Sequence, residues 1–408
     1  MKIVQKFGGT SVADISKIRS AATRVKSEVE KGNQVIVVVS AMAGVTNQLI
    51  SYCQEFSSNH NMREYDVVVS AGEQITSGLM SIALQDLNIS SVSLLGWQIP
   101  IFTNDAHAKA LINSIDNAKI LKHLDKGEVV VVPGFQGVTK NREIVTLGRG
   151  GSDITAVALA VSVDADYCDI YTDVDGVYTS DPRIVKKAKK IDKITYEEML
   201  EMASLGAKVL QTRSVELAMK FDIPLRVLSS FSDGPGTLIC SEEEVVEKEV
   251  VSGIAHSMDE AKITLVSVED RPGIAASIFH TLSEYNINVD MIVQNVSEDG
   301  STDLTFTVSK HELLSAKDAV ENNKEIKWRK LLIDDDVSKV SVVGVGMKSH
   351  AGVAMTMFKA LAEKNINIEV ISTSEIKVSV LIKANFTQDA IVCLHEAFGL
   401  DQVEDSSQ

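Results

Sequence analysis

Along the first 240 positions the apolar residues come in short β-branched runs: Ile3-Val4, Val35-Ile36-Val37-Val38-Val39, Val67-Val68-Val69 and Val129-Val130-Val131-Val132. Helix-like stretches separate them. The pattern predicts strands alternating with helices, and therefore a mainly parallel sheet between helix layers. Runs without polar alternation belong to strands buried on both faces, and such sheets bind ligands beyond the carboxyl ends of their strands. Three runs end in small-residue loops: Lys6-Phe7-Gly8-Gly9-Thr10-Ser11, Ser40-Ala41-Met42-Ala43-Gly44 and Ser70-Ala71-Gly72-Glu73. The ligand crevice is expected there.

The α/β pattern fades near Ile239, and residues 242–249 then carry five glutamates, which read as a solvated linker. An internal repeat follows. Val266–Asp290 and Val345–Glu369 match at an offset of 79, pairing Gly273 with Gly352, Phe279 with Phe358, and Asn286-Ile287-Asn288 with Asn365-Ile366-Asn367. Each copy reads strand, Gly loop, helix, Asn-rich turn, strand, so a duplicated small α+β domain is expected, each copy partnering the other. The expected division is 1–240, a linker at 241–252, a first small domain at 253–334 and a second at 335–408.

Composition narrows the function. Forty Lys and Arg against 56 Asp and Glu give a formal charge of −16, which repels phosphate backbones and anionic lipid, so neither nucleic-acid nor membrane binding is expected. The longest apolar stretch, Val35–Val45, is about eleven residues and already contains Ser40, short of the roughly 20 that span a bilayer. The N-terminal residues run directly into Gly8-Gly9 without an apolar signal segment, and a cytoplasmic protein is expected. The four cysteines form no C-x-x-C and the eight histidines no metal-ligand spacing, so no metal site is expected.

The Gly8-Gly9 pair between strand and helix exposes backbone N–H groups at a helix start, a phosphate cradle with Lys6 beside it. The same turn also serves steric needs alone, and no G-x-x-x-x-G-K-S/T occurs. In Gly148-Arg149-Gly150-Gly151-Ser152-Asp153, three glycines surround an arginine whose planar fork suits a carboxylate or phosphate. A third segment, Tyr171-Thr172-Asp173-Val174-Asp175-Gly176-Val177-Tyr178-Thr179-Ser180-Asp181-Pro182-Arg183, reads at first as an Asx-rich surface loop.

In this order the three segments resemble the amino-acid kinase superfamily, and most closely the aspartate kinases, over the whole chain. The T-D-x-D-G-x-Y-x-x-D-P loop is shared with glutamate 5-kinases and uridylate kinases. The Lys6–Val12 segment, taken with Gly148–Asp153 and Ser70–Glu73, resembles aspartate kinases specifically, and the repeat resembles a pair of ACT domains. The resemblance implies an amino-acid kinase fold followed by two ferredoxin-like α+β ACT domains. It implies that ATP, with Mg²⁺ carried on the nucleotide, phosphorylates the β-carboxylate of L-aspartate.

By resemblance, Lys6, Phe7, Gly8 and Gly9 hold the phosphates, Asp153 organises them, Arg149 clamps the substrate α-carboxylate and Glu73 meets its ammonium. Ser40, Thr46 and Ser152 complete the substrate pocket, and Thr172, Asp173, Tyr178, Arg183, Lys208 and Val209 hold the adenosine side. Effector amino acids, lysine or threonine, are implied at Asp270, Gly273, Ala275, Asn288, Val289, Asp290 and Gln294 of the first ACT copy, and at His350, Val353, Asn367, Ile368, Thr373 and Ser374 of the second. A homo-oligomer is expected.

The face bearing Asp290, Ile292 and Gln294 is expected to meet the paired ACT domain. Val343-Gly344-Val345-Gly346-Met347-Lys348-Ser349 begins like a dinucleotide fingerprint, but Ser349 replaces the third glycine. A glutamate kinase and an inactive amino-acid sensor are the rival readings.

Overall fold

The computed structural model describes residues 1–57, 61–204, 209–245, 250–296, 300–323 and 326–401. They fall into two compact units. The first comprises Met1–Val177, Lys190–Ala203 and the described residues of 209–245. Its strands are β1 (Lys2–Phe7), β2 (Gln34–Val39), β3 (Ser91–Ser93), β4 (Ile101–Thr103), β5 (Ile112–Ile115), β6 (Val129–Pro133), β7 (Gln136–Val138), β8 (Ile144–Thr146), β9 (Tyr167–Thr172), β10 (Lys193–Thr195), β11 (Leu225–Ser229) and β12 (Thr237–Cys240). Eight form one sheet in the order β10-β12-β11-β9-β1-β2-β6-β3, parallel except for β11 against β12, while β5-β4-β7-β8 form a second.

Residues Val35–Val39 and Val129–Val132 are buried throughout, as unbroken apolar runs require when helices cover both sheet faces. The helices are α1 (Ile15–Glu30), α2 (Val45–Phe56), α3 (Met62–Val69), α4 (Ala71–Asp86), α5 (Ala118–Leu124), α6 (Gly151–Val163), α7 (Tyr196–Ser204) and α8 (Thr212–Phe221). Helix α1 starts where Asp14 accepts a hydrogen bond from Lys17 N, and it buries Ile18, Ala21, Ala22 and Val25 at helical spacing. These pack with Phe7, Val37, Val39, Met80 and Leu84 into one core.

One expected strand is a helix. Val67–Val69 ends α3, where Val67 and Val68 are exposed and Asp66 and Val69 are buried, a helical rather than an alternating pattern. Asn61 caps this helix by accepting from Arg63 N. Only Ser70 separates it from α4, so Ala71-Gly72-Glu73 is a first helical turn and not a loop. The combined stretch Met62–Asp86 is long and apolar enough to cross a membrane by length and mean hydropathy, which a count of uninterrupted apolar residues misses. Half of its apolar 18-residue window is buried in the unit, and Asp66 and Glu73 lie inside, so it serves here as a core helix.

The second unit comprises Tyr178–Lys189, Ser204 and the described residues from 250 onward. Its strands are β13 (Gly253–Glu269), β14 (Ile292–Val296), β15 (Ser301–Val308), β16 (Lys330–Val343), β17 (Val370–Thr373) and β18 (Lys377–Lys383), in the sheet order β14-β15-β13-β16-β18-β17. Helices α9 (Ile274–Glu284), α10 (Leu313–Asn322), α11 (Val353–Glu363) and α12 (Thr387–Ala397) complete the two copies.

The copies share their long strands. Residues Ala261–Glu269 of β13 pair with β15 and fill the first core with Phe306 and Leu282. Gly253–Ser257 instead pair with Lys339–Val343, and Ile254 joins Val340, Met357 and Leu394 in the second core. The first copy is therefore inserted after the opening strand segment of the second, and position 334/335 lies inside β16. Ile184 and Val185 of the Tyr178–Lys189 segment pack into the second core, where Thr179 Oγ1 bonds His395 Nε2 at 2.9 Å. Gly344, expected in a loop, lies where a Cβ would stand 2.4 Å from Val250 O, so close packing accounts for it.

Candidate active site

Lys6 is the penultimate residue of β1 and Asp153 sits in the first turn of α6; both are buried, with Nζ 2.5 Å from Oδ1. The contact is a buried ion pair. Gly8 N donates to Tyr171 O at 3.2 Å, and a Cβ on Gly8 would stand 3.5 Å from Lys6 Nζ. A Cβ on Gly9 would approach Ala41 O to 3.0 Å, so the cradle's closeness, rather than its dihedrals, calls for glycine. The ring of Phe7 is fully buried, stacked on Tyr171 at 4.7 Å, and its carbonyl accepts from Ser40 N at 3.0 Å, so the side chain expected at the nucleotide lies in the core instead.

The Arg149 loop does need its glycines. Gly148 and Gly150 hold φ of +77° and +73°, and a Cβ on Gly150 would collide with Gln211. A Cβ on Gly134 would overlap Ser152, and one on Gly151 would overlap Phe135, so β6 and α6 meet closely at this loop. Arg149 is exposed, and among the described residues its guanidinium pairs with no carboxylate.

Glu73 is only 3 % exposed. Ala41 N donates to its Oε1 at 3.1 Å, while Oε2 is buried without a partner. Burial pushes the carboxyl up to about 7, against the lowering effect of the Ala41 N–H.

These groups line one pocket of about 300 Å³, which brings Lys6, Gly9, Ser40, Thr46, Glu73, Arg149, Ser152 and Asp153 together. A larger polar groove of about 1000 Å³, between α1 and residues 228–235, contains none of Lys6, Glu73, Arg149 or Asp153. Thr172 and Asp173 lie apart from the small pocket at the end of β9, the strand next to β1, with Thr172 Oγ1 3.2 Å from Asp173 Oδ1. Val209 is half-buried, and Lys208 lies outside the described residues. Tyr178 and Arg183 belong to the C-terminal unit; there the Arg183 side chain is 88 % exposed and bonds Asp181 at 2.7 Å.

The model of the amino acid kinase family matches residues 1–229, and ACT-domain models match residues 262–325 and 340–398. An aspartate kinase of Pseudomonas putida is 54% identical over 401 residues, covering 98% of each chain. An aspartokinase of Helicobacter pylori (strain J99) is 51% identical over 406 residues, covering 98% of this chain and 100% of its own. The chain belongs to the aspartate kinase family.

Among solved structures, E. coli aspartokinase III in complex with aspartate and ADP (R-state) matches with a TM-score of 0.80 at 26% identity, covering 97% of this chain and 99% of its own. The same enzyme with lysine and aspartate (T-state) matches at 0.78.

For an aspartate kinase, the residues expected at effector sites are arranged instructively. Gly273 and Gly352 precede α9 and α11 with φ of +92° and +104°, and a Cβ there would meet nothing, so left-handed backbone alone requires glycine. Asp270, Asn288, Asp290, Gln294, His350, Asn367, Thr373 and Ser374 are exposed, whereas Ala275, Val289 and Ile368 are half-buried and Val353 is buried. His350 Nδ1 lies 2.8 Å from Gly346 O.

Asp290 is not vacant: its carboxylate receives Lys339 Nζ, which also lies 3.0 Å from Glu260. At the matching position of the second copy, Glu369 receives Lys262. The expected face of β14 is reversed within the chain. Met291 and Val293 pack with Val337, Val370 and Leu381 of the second copy, while Ile292 and Gln294 are exposed.

Sequence reasoning also missed a cluster around Asp66, whose partners come from segments far apart in the chain. A lone aspartate beside three valines carries no motif that could have found it.

Proposed function

We propose that the small pocket binds L-aspartate as a zwitterion and that the γ-phosphoryl group of ATP passes to its β-carboxylate, giving 4-phospho-L-aspartate and ADP. The carrying observation is that one pocket of about 300 Å³ is lined by Arg149, by the buried Glu73 carboxyl and by the Lys6–Asp153 ion pair. Those groups complement a molecule with two carboxylates and one ammonium. Arg149 receives the α-carboxylate through its two-pronged fork, and Glu73, once ionised, receives the ammonium. Ser40, Thr46 and Ser152 supply hydroxyls around the substrate.

The β-carboxylate is already ionised at neutral pH, so no general base is needed. Phosphoryl transfer asks mainly for positioning and charge stabilisation. Lys6 follows the charge as it develops on the transferring group, while Asp153 holds the ammonium in place beforehand. With Gly8 N–H committed to Tyr171 O, the Gly9 N–H and the Lys6 ammonium are left to meet phosphate oxygens, and Thr172, Asp173 and Val209 serve the adenosine side. Mg²⁺ carried on the nucleotide would supply charge neutralisation at the phosphate oxygens.

The ACT pair gives a reason to expect feedback control by lysine or threonine in a homo-oligomer, the reaction serving the route from aspartate to lysine, threonine and methionine. ADP release with ATP, Mg²⁺ and a panel of small carboxylates tests the reading. Turnover with L-aspartate is expected; preference for glutamate, or no turnover with any of them, would overturn it.

A further inference from the structure

We infer that Asp66 is a positioning residue for Arg149, acting through Thr146 and the loop around Ala108; this rests on the reading of Arg149 as the holder of the substrate α-carboxylate. Asp66 is fully buried in α3. Its carboxylate accepts from Thr146 Oγ1 at 2.6 Å and from Ala108 N at 3.1 Å and 3.2 Å, and it pairs with His107 Nδ1 at 2.6 Å. Thr146 ends β8, three residues before Arg149, and its carbonyl accepts from Ala110 N at 2.9 Å. Ala108 itself adopts a φ of +63°, and its carbonyl would lie 3.1 Å from a Cβ on Gly148.

The tied segments therefore lie close against the backbone immediately ahead of the arginine. Arg213 reaches the same place from α8, donating to Leu147 O at 2.9 Å and Ala110 O at 3.3 Å.

Two considerations favour positioning over mere stitching. Burying a carboxylate is costly unless it is fully bonded, and a stitch between α3 and β8 is within reach of apolar packing. Among the described residues, every hydrogen bond of the Asp66 carboxylate goes to residue 146 or to the loop covering Gly148. In addition, no carboxylate among the described residues fixes the Arg149 guanidinium, so its aim depends on the backbone at Leu147–Gly150. Displacement of a substrate-holding group by about 1 Å can cost on the order of 100-fold.

The test measures steady-state kinetics and thermal midpoint for Asp66→Asn, Thr146→Val, Thr146→Ser and Arg149→Ala in the full chain. The expected result is a rise of roughly ten-fold in KM for aspartate in Asp66→Asn and Thr146→Val, with kcat and KM for ATP within about two-fold of the parent. Thr146→Ser, which keeps the hydroxyl, should restore the parent value. If Asp66→Asn does not fold, the two Thr146 variants decide.

Unchanged KM for aspartate in Thr146→Val would overturn the proposal, as would a parallel loss in aspartate, ATP and turnover parameters that follows the thermal midpoint. Arg149→Ala separates the two levels: a raised KM for aspartate there, with Thr146→Val at the parent value, rejects the positioning role alone. An unaffected Arg149→Ala rejects the reading beneath it.

Discussion

A carboxyl as enclosed as that of Glu73, with one oxygen unpartnered, is held in its protonated form by its surroundings up to about pH 7. The arriving ammonium of aspartate must displace that proton. Aspartate affinity is accordingly expected to fall as pH drops below about 7, by up to ten-fold per unit, while kcat at saturating aspartate changes less. The sign for stability is the reverse of a salt-bridged acid. Between the ordinary value of 4.5 and about 7 the folded state retains a proton that the unfolded chain has released, so the empty enzyme loses stability as pH rises through that window. In Glu73→Gln the KM for aspartate should be high at every pH and its dependence near pH 7 should vanish; a preserved inflection in the pH profile would assign it to another group.

Arg149→Ala should raise KM for aspartate strongly and spare KM for ATP, since the lost fork touches one substrate. The two loops carrying Lys6 and Arg149 were legible as residues because glycine spacing and a charged side chain recur in one short stretch. Asp66, His107 and Arg213 were not, because their partners are assembled only when α3, the 104–110 loop, β8 and α8 come together.

Among the elements, glycines that look alike in sequence differ in what they carry. Gly127 follows α5 with φ of +75° and open space around a Cβ, whereas Gly150 combines a φ of +73° with a collision against Gln211. Gly127→Ala should cost about 1–2 kcal/mol of stability with kinetics intact. Gly150→Ala should cost more and also depress kcat/KM for aspartate, as thermal unfolding and steady-state rates would reveal; equal behaviour of the two would show that the α6 start tolerates displacement.

The β-branched runs at 35–39 and 129–132 were readable as strands because nothing polar interrupts them and both faces are covered. The run at 67–69 misled, because three residues cannot distinguish a strand from the end of a helix whose buried face is set by Asp66 and Val69. The offset repeat disclosed two ACT copies, yet the exchange of strand segments in β13 and β16 was hidden. Gly253–Ser257 lies outside the repeated core of the sequence and finds its partners 82 to 90 residues away.

For the whole molecule, regulation must couple separate sites, and an effector can do so only through a difference in its affinity for two arrangements. Gln294 is exposed on β14, while Asp290 is tied to Lys339 across the two copies. Gln294→Ala is expected to leave uninhibited turnover near the parent value and to weaken inhibition by lysine or threonine. Unchanged inhibition there would move the effector site elsewhere.

The central claim is that this pocket phosphorylates the side-chain carboxylate of aspartate through Lys6. The most direct measurement is chemical trapping with hydroxylamine of the product formed from ATP, Mg²⁺ and L-aspartate, because an acyl phosphate yields a hydroxamate whose position identifies the carboxylate attacked. The account predicts the β-hydroxamate from the parent protein, formed in step with ADP. In Lys6→Ala the rate should fall by at least about 100-fold at saturating aspartate. No hydroxamate, an α-hydroxamate, or a normal maximal rate in Lys6→Ala would contradict it.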